Sequence, residues 1–364
     1  MPSKALITLL ICGVSAMTFF IYTRQPEARW TSEHYQDGHF HNSNAAAKAG
    51  NKVGRLLYRF LFEKRIDSTP TSPIPIQPLQ LAELESKRGD LAVRLGHSTV
   101  LLRLSGRYWL TDPVFTERAS PVQWIGPKRF HPAPIPLEAL PELSGVILSH
   151  DHYDHLDKAS VLSLAQKGTA FYAPLGVGRR LIQWGVASKQ VTELDWWQSV
   201  QAGPVTLVAT PAQHFSGRTL TDRNSTLWAS WALLGEHSRI FFSGDSGYFN
   251  GFSQIGERYG PFDLTLIETG AYDQGWPNIH MMPEQSVQAH RDLKGKVMIP
   301  IHNSTFELAF HPWYEPVERA LAEAHRDGQN VSVPMIGEPV GVGESARLSY
   351  WWRPKAIESM AHQL

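Results

Sequence analysis

Short apolar runs of four to six residues recur through this chain, and a histidine or an aspartate stands at or just past the end of four of them. Gly145-Val146-Ile147-Leu148 reads as a buried strand and leads into Ser149-His150-Asp151-His152-Tyr153-Asp154-His155-Leu156-Asp157. Val205–Thr210 alternates like a strand and is followed by Pro211-Ala212-Gln213-His214. Arg239–Ser243 is β-rich and ends in Gly244-Asp245-Ser246-Gly247, where the glycines permit a tight turn that projects Asp245. Lys296–Ile301 is another such run and stops at His302. Helical periods are also legible. Pro283–Leu293 and Glu315–Asp327 read as helices, the second with Gly328 as its stop. His290 and His325 read as surface residues near the ends of these helices.

The polar residues closing the runs are of one chemical kind. Neutral imidazole and carboxylate oxygen are the donors that suit zinc and related divalent metals. His150 and His152, two apart, can point the same way from an extended segment. Asp154 and His155 follow on a turn and face a second position beside the first. Four such donors within six residues indicate two metals rather than one. Two metals need further ligands, and His214, Asp245 and His302 stand where strand-end loops would present them.

His150-x-His152-x-Asp154-His155, then His214, Asp245 and His302 in that order, resembles the metallo-β-lactamase superfamily in its binuclear hydrolase form. Gly96-His97-Ser98-Thr99, Leu110-Thr111-Asp112-Pro113 and Gly126-Pro127-Lys128-Arg129-Phe130 precede the metal motif. Leu194-Asp195-Trp196-Trp197, Leu227–Trp231 and Gly260-Pro261-Phe262-Asp263-Leu264 follow it. This string is similar to the family of phospholipases D that hydrolyse N-acylphosphatidylethanolamine, and the likeness covers roughly residues 90 to 345.

The resemblance implies an α/β fold, the αββα sandwich of two mixed β-sheets flanked by helices. It implies two zinc ions, with iron or manganese as alternatives. His150, His152 and His214 would hold one, Asp154, His155 and His302 the other, and Asp245 would bridge them. A metal-held hydroxide would attack phosphorus. His280, in Asn278-Ile279-His280-Met281, matches a family histidine near the substrate phosphate and is the candidate hydrogen-bond donor beside Asp154 and Asp245. His97 and Asp112 would orient ligands rather than ligate. The products would be phosphatidic acid and an N-acylethanolamine. The partners implied are a phospholipid, a membrane surface and, as in family members, a second copy of the chain. After His302 the chain reads Asn303-Ser304-Thr305-Phe306, where the family pattern has a bulky aromatic residue and glycine before the same Thr-Phe. A lactone, ester or β-lactam hydrolase of the same fold is the alternative activity. A non-enzymatic envelope protein with a structural metal is a third reading.

Composition narrows the setting. The 364 residues are 42% hydrophobic and 19% charged, enough for a large core. The formal net charge is zero, which offers no whole-chain attraction to nucleic acid. Cys12 is the only cysteine, so no intramolecular disulfide can form. Ala5–Tyr22 carries no charge, and at about 1.5 Å per residue reaches about 27 Å, just enough to span a thin bilayer core. A cleaved signal peptide is the rival, but the apolar run continues through Phe19-Phe20-Ile21-Tyr22 and favours an uncleaved anchor. The expected organisation is therefore an anchor over 1–23, a linker over 24–80 and a catalytic domain over 81–364, held outside the cytoplasm on the periplasmic side of a bacterial inner membrane.

Within the linker, Leu56, Leu57, Phe60 and Leu61 share helical spacing, with Arg55, Arg59 and Lys64 interspersed. Such a helix can lie on an anionic bilayer or pack on the catalytic core. Ser68–Pro78 reads as a proline-stiffened link. Trp196, Trp197, Trp228 and Trp231 read as core before acyl groove.

Overall fold

The computed structural model describes residues 30–43, 58–59, 62–345 and 347–353. The expected anchor over 1–23 lies outside the described residues, as does most of the amphipathic segment near Leu56–Leu61. No helix among the described residues is long and apolar enough to cross a membrane.

Two mixed sheets form the centre. In the first, β3 (Leu91–Gly96), β4 (Thr99–Leu104) and β5 (Arg107–Thr111) meander antiparallel, and β5 then pairs parallel with β6 (Leu143–Ile147). The parallel run continues through β7 (Phe171–Pro174) and β8 (Val191–Leu194), while β15 (Pro339–Gly341) closes the other edge against β3. In the second, β9 (Ser199–Ala202), β10 (Val205–Thr210), β11 (Ser230–Leu234) and β12 (Arg239–Phe242) are antiparallel. β13 (Leu264–Glu268) and β14 (Met298–Ile301) extend that sheet in parallel.

The apolar runs are continuous because their strands are buried on both faces. Side chains alternate between layers. Val100, Leu102, Leu207, Ala209, Ile240 and Phe242 fill the space between the sheets. Their neighbours Leu101, Val208 and Phe241 point outward into the two outer cores. Helices cover those outer faces. Leu84 of α1 (Leu81–Ser86), Val161 and Leu164 of α2 (Lys158–Gln166), and Val177 and Leu181 of α3 (Val177–Trp184) pack on the first sheet. Phe252 of α4 (Gly251–Tyr259), Val287 of α5 (Pro283–Asp292) and Ala320 of α6 (Glu315–Asp327) pack on the second. The layers are thus helix, sheet, sheet, helix. α6 ends where Gly328 adopts φ +65°, the left-handed stop that glycine allows.

Two sequence expectations change. Part of the expected linker is packed structure: β1 (Tyr35–Gln36) and β2 (His39–Phe40) form a hairpin whose Phe40 is fully buried in the inter-sheet core, and Ile74 joins an outer core. The run there was too short to read as a strand by periodicity. His290 is not a surface residue. It is fully buried on the inner face of α5 and bonds Thr265 Oγ1 at 2.7 Å, a tertiary partner invisible to helical spacing. Trp196, Trp228 and Trp231 are core, while Trp197 is partly buried beneath Arg258.

Candidate metal centre

The two sheets present their strand ends along one rim, and the histidines and aspartates converge there. The β6–α2 connection supplies four of them. Asp157 caps α2 by accepting from the Ala159 and Ser160 amides, which fixes where the loop must end. Between, Leu156 N donates to His152 O at 2.8 Å and folds the segment into a turn. His150 Nε2 and His152 Nδ1 then lie 2.9 Å apart. His214 follows β10, and its ring Nδ1 donates to Ile279 O at 3.0 Å, so Nε2 faces His152 Nδ1 at 3.3 Å. Asn42, from the segment after β2, clasps the His214 backbone: its side-chain amide bonds both His214 N and His214 O.

A second group gathers beside the first. His155 Nδ1 donates to Asp112 Oδ2 at 2.7 Å, which aims its Nε2 at Asp154 Oδ2, 3.4 Å away, and at Asp245 Oδ1, 3.1 Å away. His302, in the left-handed region at φ +62°, donates its backbone N–H to His97 O and brings Nε2 to 3.3 Å from Asp154 Oδ2. His97 Nε2 reaches the same Asp154 oxygen at 3.0 Å.

Asp245 stands between the groups. Its Oδ2 lies 3.2 Å from His302 Nε2, 3.7 Å from His214 Nε2 and 3.8 Å from His150 Nε2. Gly244 makes this placement possible: its φ is +54°, and a Cβ there would sit 2.4 Å from Ser149 Cβ. His150, His152, His214 and Asp245 form one set of donors within metal-binding reach of one another, and His97, Asp154, His155 and His302 form another.

The electrostatics fit divalent cations. Burial holds His150 and His214 well below the usual imidazole range, so both stand in the neutral form that ligates. Burial opposes charge on Asp154 and Asp245 too, yet the surrounding imidazoles hold both carboxyls well below the usual range. His302 rises to about 9 because Asp245 and Asp154 outweigh its burial. His155 Nε2 and Asp245 Oδ1 are buried, and among the described residues neither has a hydrogen-bond partner despite their closeness. An imidazole-rich pocket with two carboxylates and orphaned donor atoms is a ligand set for cations.

His280 lies on the loop between β13 and α5, its ring 5.1 Å from that of His214 and 5.2 Å from that of His302. Its Nδ1 meets Glu268 Oε1 at 2.7 Å. Burial, then the nearby Asp245, pushes the Glu268 carboxyl well up, and burial takes His280 down to about 4. Their contact fixes the His280 ring against the Glu268 carboxyl. Sequence reading passed over Glu268. Its signal was there: a carboxylate closing the apolar run Leu264-Thr265-Leu266-Ile267, as other runs close at ligand-type residues. Asn42 carried no such signal.

A family model for the beta-lactamase superfamily domain matches residues 107–303, more than half of the chain. The chain belongs to the metallo-β-lactamase superfamily. This superfamily hydrolase is 47% identical over 332 residues to an uncharacterized protein of Mycobacterium tuberculosis, covering 88% of each. It is 37% identical over 285 residues to N-acyl-phosphatidylethanolamine-hydrolyzing phospholipase D 1 of Caenorhabditis elegans, covering 74% of this chain and 79% of that one. The solved isothiocyanate hydrolase from Delia radicum gut bacteria superposes with a TM-score of 0.56 at 18% identity, over 71% of this chain and 99% of that one. That likeness speaks for the fold alone.

Proposed function

We propose that this hydrolase is a phosphodiesterase of the phospholipase D type, cleaving N-acylphosphatidylethanolamine-like lipids to phosphatidic acid and N-acylethanolamine. The position of Asp245 carries the reading. Its carboxylate is within 3.8 Å of imidazole nitrogens from both donor groups, the place of a carboxylate shared by two cations. His150, His152 and His214 would hold one zinc, and Asp154, His155 and His302 the other. Iron or manganese suits the same donors. Such ions supply a hydroxide near neutral pH and neutralise charge on phosphoryl oxygens. Asp112 and His97 keep His155 and Asp154 oriented. His280 offers Nε2 to the reacting group. The choice of bond draws on the nematode relative.

A membrane surface is the proposed workplace. Trp124 and Ile125 stand exposed on the loop after β5, and Leu220 is fully exposed on the loop whose Arg218 holds the Asp151 carbonyl. Tyr58 and Phe62 are exposed beside Arg59, which binds Asp273 on the His280 loop. Exposed large apolar side chains of this kind suit lipid contact.

The test joins metal content to product identity. The purified protein is assayed for bound metal and incubated with N-acylphosphatidylethanolamine in mixed micelles, with products identified by mass. About two metals per chain with phosphatidic acid released is the expected result. Two metals with a lactone cleaved and the phospholipid untouched would overturn the phosphodiester assignment. Full activity of Asp245→Asn at normal metal content would overturn the shared-ligand assignment.

A further inference from the structure

His155 and His214 each have a bond behind the ring that aims it, to Asp112 and to Ile279 O. His302 has none. Its Nδ1 is buried and makes no hydrogen bond among the described residues, so the backbone turn that carries it must set where Nε2 points. That turn is unusual. His302 stands at φ +62° and Ser304 at φ +57°, two left-handed residues other than glycine on either side of Asn303. Such a pair persists only where the surroundings hold it. Serine stands here in place of the glycine of the pattern that the sequence resembles, and glycine takes this conformation freely.

Arg94 supplies the hold. It lies in β3, buried, and no carboxylate pairs with it among the described residues. Its Nη2 donates to Asn303 O and, at 3.0 Å, to Asn303 Oδ1, while its Nε has no partner there. Burying a guanidinium on these terms is costly, so what it grips indicates its use. The contact joins the two sheets: β3 belongs to one, and β14, which leads into the turn, belongs to the other. Shorter-range bonds close the turn around Asn303. Its Nδ2 donates to Ile301 O at 2.9 Å, and Ser304 Oγ donates to its Oδ1 at 3.1 Å. The loop after β13 presses on the other side, where a Cβ on Gly270 would stand 2.2 Å from His302 O.

We propose that Arg94 is a positioning residue for one of the two cations: its grip on both oxygens of Asn303 holds the left-handed turn, and the turn keeps His302 Nε2 facing Asp154 and Asp245. Those carboxylates lie 3.3 and 3.2 Å from that nitrogen. The inference rests on the reading of His302 as a ligand and on no particular substrate. His150, His152 and His214 hang from the β6–α2 connection and from the end of β10, outside this turn. The grip therefore serves the position of Asp154, His155 and His302 and leaves the other position alone.

The test titrates zinc into the metal-free full-length chain against a chromophoric chelator, so that two binding steps are resolved. His302→Ala marks which step belongs to the His302 position. In Arg94→Met that step should weaken by about 10- to 100-fold and the other by no more than about twofold. Ser304→Gly added to Arg94→Met should recover most of the lost affinity, because glycine takes the turn without help. A merely structural role for Arg94 would give neither the split between the steps nor the recovery. Both steps weakened alike, a His302 step of parental strength, or no recovery with Ser304→Gly would overturn the proposal. Should Arg94→Met not fold, Asn303→Ala removes Oδ1 alone, and a several-fold loss confined to the His302 step is then expected. An Asn303→Ala protein with both steps at parental strength would overturn the proposal equally. A His302→Ala protein that keeps both steps would overturn the ligand assignment itself, and the proposal with it.

Discussion

Asp112 and His155 are both fully buried, and the Asp112 carboxylate accepts the His155 Nδ1–H at 2.7 Å. The same carboxylate takes the Ser149 amide at 2.7 Å and the Ser149 hydroxyl. One side chain at the end of β5 thus orients a donor and pins the start of the loop that carries His150–His155. In Asp112→Asn the amide cannot accept from both Nδ1–H and the Ser149 amide without turning an N–H toward one of them. Metal affinity should fall by roughly 10- to 100-fold. Competition with a chromophoric chelator measures this, and an unchanged affinity would mean that packing alone orients His155.

Gly244→Ala should displace Asp245. The new Cβ meets Ser149 Cβ at 2.4 Å and must hold φ near +54°, so the turn has to open. A loss of roughly 2–4 kcal/mol in stability is expected, with less than the full metal complement retained. Calorimetry and metal analysis of one preparation read both effects. A variant that keeps parental metal content and melting temperature would refute the tight approach of β12's end to the β6–α2 loop.

Asn42→Ala strips partners from His214 N, His214 O and Trp228 Nε1 together. Trp228 Nε1 keeps Ala212 O, and leaving the two His214 backbone groups unsatisfied costs roughly 1–3 kcal/mol. The loss should be larger with metal bound than without, because His214 is among the donors. Denaturant unfolding in zinc and in chelator separates the two. Equal losses would make Asn42 a stabiliser of the hairpin and nothing more.

His290 makes the fold acid-sensitive away from the metal. Burial lowers its pKa to about 4, whereas an unfolded imidazole titrates near ~6.5. Its contribution is complete above the unfolded value. As pH falls from there toward 4, the unfolded state takes up the proton first and stability is lost, by at most about 1.4 kcal/mol per pH unit. His131, lowered to about 3 by burial and the neighbouring Arg129, adds in the same direction. Between pH 7 and pH 5, the metal-free His290→Gln protein should lose less stability than its parent. Identical slopes would show that His290 takes up its proton alike in the folded and unfolded states.

The amino-acid order by itself determined four of the strands and the identity of most donors. Apolar runs buried on both faces have a clear period, and imidazoles or carboxylates closing them are chemically conspicuous, so His150–His155, His214, Asp245 and His302 could be named in advance. Two groups of donors were legible from spacing, because His-x-His and Asp-His occupy opposite ends of one short turn. What only the tertiary structure decided is how far apart those groups lie and what holds them. The Asp112–His155, Asn42–His214 and Glu268–His280 contacts join residues 43, 172 and 12 positions apart. They bridge the packed sheets and the loops on their rim. Local periodicity carries no information about such pairs, since which side chains meet is set by sheet register and by the approach of one layer to the other. The same physics moved Phe40 from linker to core and His290 from surface to interior, where the partner chosen by folding outweighed what each segment suggested alone.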